Sequence, residues 1–107
     1  EILIRREASM KTKKLAKVLK ALSHQKRLEL YLEVARRNEK DFEASKNECF
    51  ICDIMDSLNI GAPTVSHHLK ELSNADLITT ERRGKFLIAR AKKGALDEAR
   101  KVLSIIE

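Results

Sequence analysis

Residues 59–76, Asn-Ile-Gly-Ala-Pro-Thr-Val-Ser-His-His-Leu-Lys-Glu-Leu-Ser-Asn-Ala-Asp, constrain the fold of this chain more than any other stretch. Gly61 offers the permissive backbone that a tight turn needs. Pro63 suits the first position of a new helix, where a missing N–H costs nothing. Val65, Leu69 and Leu72 then recur at i, i+4 and i+7, one apolar stripe of a helix. At roughly 100° per residue, Ser66, His67, Lys70 and Asn74 point away from that stripe, with Thr64 at its flank. Short hydrogen-bonding side chains and one cation on a free face suit a helix that reads base edges in a major groove. An ordinary amphipathic surface helix would carry the same stripe, so the flanking segments decide.

On the N-terminal side, Ile51, Ile54, Met55 and Leu58 fit i, i+3, i+4 and i+7, which predicts a short helix over residues 53–58. A short helix, a turn holding Gly and a second helix with a polar outer face make a helix-turn-helix. On the C-terminal side the period changes. Residues 77–82 are rich in strand formers, Arg83-Gly84 makes a turn, and residues 85–90 return, a β-hairpin signal. Arg82, Arg83 and Lys85 surround Gly84 at its tip, and a basic hairpin beside such a helix is a wing.

The ends of the chain are helical in pattern. Leu15, Val18, Leu19 and Leu22 form an apolar stripe, with Lys13, Lys14, Lys17 and Lys20 on the other face as a solvated surface or a secondary phosphate contact. Ser23 is placed to cap a second helix over residues 25–37 that buries Leu28, Tyr31, Leu32 and Ala35, with Leu30 and Val34 broadening the stripe. Residues 38–48 are polar and aperiodic, which reads as a loop. From Lys92 or Lys93 onward, Leu96, Ala99, Val102, Leu103 and Ile106 describe a last amphipathic helix. A small domain cannot easily cover both terminal stripes, so a homodimer built from them is expected. Residues 1–9 precede Met10, a natural start, and are either an appended segment or an extension of the first helix. The expected architecture is mainly α with a small β-hairpin, a winged helix-turn-helix of five helices plus wing, in a single DNA-binding and dimerisation domain over residues 1–107.

Composition agrees. A chain of 107 residues is one domain, and 43% hydrophobic residues with only 4% aromatic ones give a Leu, Ile, Val and Ala core. No apolar run is long enough to span a membrane and no signal-peptide pattern is present, so the reading is cytoplasmic. Two Cys in that setting are thiols, ligands or a redox pair, not a disulfide scaffold. A net charge of +6 hints at a polyanionic partner; the excess sits in residues 1–37 and 61–107, while residues 38–60 are acidic.

These motifs resemble the ArsR family of winged-helix transcriptional repressors. The matching strings are Leu19-Lys20-Ala21-Leu22-Ser23-His24-Gln25-Lys26-Arg27-Leu28, Pro63-Thr64-Val65-Ser66-His67-His68-Leu69-Lys70-Glu71-Leu72, and Ala75-Asp76-Leu77-Ile78 running into the Arg83-Gly84-Lys85 wing. The resemblance implies a dimer that binds a palindromic double-stranded operator and releases it when an effector binds. Many members sense metals or arsenicals through cysteines at the start of the third helix, or through acidic and His ligands on the last. The family's Cys-Val-Cys-Asp-Leu signature has a partial counterpart in Cys49-Phe50-Ile51-Cys52-Asp53-Ile54, with Cys49 one residue too early and no third Cys. The last helix has Asp97 and Glu98 but no His, so the second type of metal site is not expected.

Cys49 and Cys52 leave three readings open: packing residues, a thiophilic sensor, or a redox pair. A helix N-terminus would favour the Cys52 thiolate. Soft thiolates select As(III), Cu(I), Cd(II) or Zn(II), though two alone underfill a tetrahedral zinc site. His68 lies beside the buried stripe and reads as structural, His24 as a local cap, and His67 as a DNA contact. Arg82, Arg83 and Lys85 suit phosphate or minor-groove contacts. No nucleophile, base and orienting group assemble, so an enzyme is not expected. The alternative function is a winged-helix assembly module without an operator, which has little need for three cations at the wing.

Overall fold

The computed structural model describes the backbone of residues 2–40 and 49–105, and the side chains of residues 11–37, 51 and 53–105. The helices are α1 (Ile2–Leu22), α2 (Gln25–Lys40), α3 (Ile51–Leu58), α4 (Ala62–Asn74) and α5 (Asp97–Ser104). The strands are β1 (Cys49–Phe50), β2 (Ile78–Arg83) and β3 (Phe86–Ala91), in the order β1-β3-β2 with both pairings antiparallel. Five helices and a wing among the described residues match the expected class. β1 does not: a two-residue strand carries too little pattern to be read, and it forms only because Cys49 and Phe50 lie opposite Ala89 and Ile88.

One core joins the elements. Val18 and Ala21 of α1, Leu30 and Val34 of α2, Ile54 of α3, Val65, Leu69 and Leu72 of α4, and Ile78 and Ala89 of the sheet are buried together. The stripe of α2 corrects the sequence reading. Leu30 and Val34 are fully buried and Tyr31 nearly so, whereas Leu28 and Leu32 are 36% and 55% exposed and Ala35 is half-buried. α2 is apolar on two sides, and at roughly 100° per residue Leu30 and Val34 lie opposite Leu28 and Leu32. Which side faces inward is set by α1, α3, α4 and the sheet packed around it.

The caps differ from the expected ones as well. The Ser23 hydroxyl and amide both donate to the Lys20 carbonyl, at 2.8 and 3.4 Å, so Ser23 closes α1 and does not cap α2. The His24 carbonyl accepts the first bond of α2, from Leu28 at 2.9 Å. α1 begins at Ile2, so residues 2–9 extend the first helix. α2 and α3 each run longer than their periodicity indicated; of the expected loop, residues 41–48 lie outside the described residues.

The turn before α4 uses Asn59, not Gly61, for its left-handed residue: Asn59 has φ 55°, while Gly61 is extended at φ −77°, ψ 159°. The Ile60 amide donates back to the Met55 carbonyl at 3.1 Å, the six-to-one bond of a Schellman stop. Gly61 is the N-cap of α4, and its carbonyl accepts from the Val65 amide at 3.0 Å. α4 ends the same way, with Asp76 at φ 59° and the Leu77 amide donating to the Leu72 carbonyl at 3.0 Å.

In the wing Arg83 pairs with Phe86, so the two-residue turn is Gly84-Lys85, one residue later than expected, with Gly84 at φ 59°. α5 starts at Asp97, because residues 92–96 form a turn around left-handed Gly94 at φ 76°. Ile106 lies outside the described residues.

Candidate nucleic-acid interface

α4 is held by its buried face, Val65, His68, Leu69 and Leu72, and this leaves Thr64, Ser66, His67, Lys70 and Asn74 exposed as the spacing required. β2 runs beside it. Thr80 and Arg82 lie two apart on this strand and so on one side of it. Together with Ser66, Lys70, Ser73 and Asn74 of α4 they line a cleft of about 310 Å³, over Leu69 and Leu87. Four of the expected residues thus meet around one concavity: Ser66, Lys70, Asn74 and Arg82.

Thr64, His67, Arg83 and Lys85 are exposed outside that cleft. Thr64 sits in the first turn of α4, and Lys85 occupies the wing turn. Arg83 is drawn to Glu81 at 3.5 Å, and the same carboxylate oxygen accepts from Arg90 Nη2 at 2.9 Å. The three wing cations are therefore not one tip: Arg82 belongs with α4, and Arg83 with Glu81. Ser73 and Thr80 complete the cleft beyond the residues expected from sequence. Their signals were present, since Ser73 is three residues after Lys70 on the helix and Thr80 two before Arg82 on the strand.

Behind the cleft, His68 is buried. Its Nδ1 accepts from Arg27 Nε at 3.4 Å, and Arg27 Nη1 donates to the Ala21 carbonyl at 3.3 Å. The His24 ring centroid is 4.7 Å from that of His68, and the His67 centroid 5.9 Å. With Nδ1 accepting, a neutral His68 carries its proton on Nε2, which is buried without a hydrogen-bond partner among the described residues. Burial first, then the nearby His24, Arg27 and His67, lower its pKa below the ordinary 6.5. The structural role expected for His68 is what the geometry displays. It is one wedge that seats α4 on the α1–α2 corner.

Cys49 lies in β1 opposite Ala89, and Cys52 in the first turn of α3. Their side chains lie outside the described residues. Among the described residues, no group of three or more His, Cys, Asp or Glu is placed to hold a metal ion, and no helix is long and apolar enough to cross a membrane.

Comparison with known proteins agrees with this geometry. The family described as "Bacterial regulatory protein, arsR family" matches residues 44–80. The arsenical resistance operon repressors of Staphylococcus xylosus and Staphylococcus aureus are each 32% identical over 97 residues, covering 91% of this chain and 84% of theirs. Among solved structures, an ArsR-like transcriptional regulator from Rhodococcus sp. RHA1 superposes with a TM-score of 0.69 at 22% identity, over 89% of this chain and 80% of that one. The transcriptional repressor BigR from Xylella fastidiosa gives 0.63 at 24% identity, over 94% of each chain. The structural likeness speaks for the winged helix-turn-helix fold, and the sequence relatives for the lineage. The chain belongs to the ArsR family of DNA-binding transcriptional repressors and is not an enzyme.

Proposed function

We propose that the protein works as a homodimer that binds an inverted-repeat operator, reading bases with α4 and gripping phosphates with the wing. The observation that carries this reading is the cleft where Ser66, Lys70 and Asn74 of α4 meet Arg82 of β2. Ser66, Lys70 and Asn74 contact base edges, with Thr64 and His67 at the margin of the groove; Arg82, Arg83 and Lys85 contact phosphate or minor groove. Residues 1–107 serve as one DNA-binding and dimerisation domain, and a genomic target places its work in the cytoplasm. For the dimer, Leu19 of α1, Leu103 of α5 and Ile105 just after it remain exposed although α1 and α5 pack together, which suits a partner laid across both helices.

Release is assigned to Cys49 and Cys52. The arsenical resistance repressors among its relatives support a metalloid signal. Soft thiolates favour As(III) and Cd(II), and two of them alone underfill a tetrahedral Zn(II) site. Thiol oxidation to a Cys-x-x-Cys disulfide would act on the same helix start. Either event must favour a dimer geometry that fits DNA poorly, since a ligand shifts an equilibrium only by its differential affinity.

Selection of duplexes from a random pool tests the operator. Inverted repeats with half-sites one helical turn apart are expected. Recovery without any sequence enrichment would contradict operator reading and favour the assembly-module alternative. As(III), Cd(II) or peroxide should then release the selected duplex from the parent but not from the Cys49→Ser, Cys52→Ser variant. Equal release of both would clear the thiols of this role.

A further inference from the structure

We infer that the cleft between α1 and α5 binds a compact organic anion with an apolar body, at a place distinct from the thiols and from the DNA-reading cleft. Its volume is about 360 Å³, within the usual size of small-molecule pockets. It shares no lining residue with the α4–wing cleft.

Cations stand on two sides. α1 contributes Lys11, Lys14 and Lys17, and the turn between β3 and α5 contributes Lys92 and Lys93. None of these lysines has an ion-pair partner among the described residues, whereas Glu98 on the rim lies 3.7 Å from Lys101. Among the described residues, Asp76 is the other carboxylate lining the cleft. Five ammonium groups against two carboxylates among the described lining residues repel one another, and an anion placed among them relieves that repulsion.

The rest of the lining is apolar and small, with Val18 and Ala99 at its base. Phosphates of a DNA backbone would need only lysines on a surface. A recess with an apolar base suits a ligand that has both a charge and a hydrocarbon or aromatic body. One wall is also held in place. Gly94 is left-handed at φ 76°, and a Cβ there would meet Asp97 Oδ2 at 3.2 Å. The Lys92 amide donates to the Leu77 carbonyl at 3.0 Å, and the Ala95 amide to the Lys92 carbonyl at 3.2 Å.

That wall gives the site a consequence. Leu77 is the residue whose own amide closes the stop of α4 on Leu72. A ligand in the cleft therefore touches α1 and α5 on one side and the end of the DNA-reading helix on the other. It is placed to couple the packing of the terminal helices to the setting of α4. This consequence rests on the DNA-reading proposal; the binding itself does not.

The test titrates the full chain, without DNA, with benzoate, hexanoate and phenyl phosphate, and with the neutral benzamide and hexanamide, following backbone amides by NMR. Saturable shifts are expected at Lys14, Asp76, Lys93, Ala95 and Ala99 for the anions. The Lys14→Ala, Lys93→Ala variant and the neutral amides should each bind about tenfold more weakly or worse, the effect of losing a charge-assisted contact. Both substitutions are at exposed positions, and an unchanged spectrum elsewhere will show the fold intact. Anions that bind no better than amides, shifts at other residues, or a variant that binds like the parent would each overturn the inference. A random duplex that displaces benzoate from these amides would also overturn it, assigning the lysines to DNA phosphates. Failure here leaves operator reading by α4 standing, because no operator enters the experiment.

Discussion

Arg27 donates from Nε to Nδ1 of His68 across 3.4 Å, and so joins α2 to the inner face of α4, the helix proposed to read DNA. The contact needs a neutral imidazole, because a protonated ring has no lone pair to accept with. His68 accordingly titrates below the ordinary 6.5, chiefly through burial and further through His24, Arg27 and His67. The unfolded chain then binds a proton before the folded one does. Stability from this group is complete above about pH 6.5 and declines as the pH falls from there through the folded pKa. Urea midpoints measured from about pH 8 to 5 should fall on the acid side, and His68→Gln should flatten that fall. A parent as stable at the acid end as at neutrality would refute this role for His68.

Gly61 and Asn59 exchange the importance that the sequence suggested. Gly61 has an ordinary φ, and a Cβ there would have nothing nearer than Pro63 Cδ at 3.9 Å. It caps α4 without a side-chain bond. Gly61→Ser should therefore stabilise the protein by about 0.3 kcal/mol in urea unfolding, the few tenths that separate Ser from Gly at an N-cap. Asn59→Val, at φ 55°, should cost about 1–2 kcal/mol. The reverse order would contradict the turn described.

The two sides of α2 make a sharper contrast. Leu30 is fully buried and Leu32 is 55% exposed. Leu30→Ala should lose about 2–5 kcal/mol by leaving a cavity, while Leu32→Ala should stay within about 0.5 kcal/mol of the parent. Comparable losses would mean that the stripe read from periodicity, with Leu32 inside, was right after all.

α2 also shows where sequence reading stopped. α4 was legible because only one of its sides is apolar, so Val65, Leu69 and Leu72 had to be inward and Ser66, Lys70 and Asn74 outward. α2 offers two apolar sides, and only its neighbours choose between them. Ser23 misled because a hydroxyl at a helix junction can serve either helix, and here it turns back to Lys20. β1 is paired across a long sequence separation and has no local signal. The grouping of Arg82 with α4 and of Arg83 with Glu81 depends on the side of β2 each occupies, which alternation in the strand encodes but a cluster of three cations conceals.

That division has its own outcome. Arg82 lines the α4 cleft, whereas Arg83 already lies 3.5 Å from Glu81. If each neutralises one phosphate, its replacement by Ala should reduce the slope of log affinity against log salt by about one. Arg82→Ala should show that full reduction, and Arg83→Ala a smaller one, because Glu81 competes for its charge. Salt titrations with equal slopes for both variants would return the wing to a single undivided tip.

The central claim is that the outer face of α4 reads bases, and Lys70 tests it most directly. The measurement is the ratio of affinities for a selected duplex and for its scrambled version, in the parent and in Lys70→Ala, at one salt concentration. A base-reading Lys70 gives a variant whose ratio falls by about 5- to 150-fold, the equivalent of roughly 1–3 kcal/mol of lost discrimination. If Lys70→Ala weakens both duplexes alike and leaves the ratio unchanged, Lys70 touches only phosphate and another surface reads the sequence.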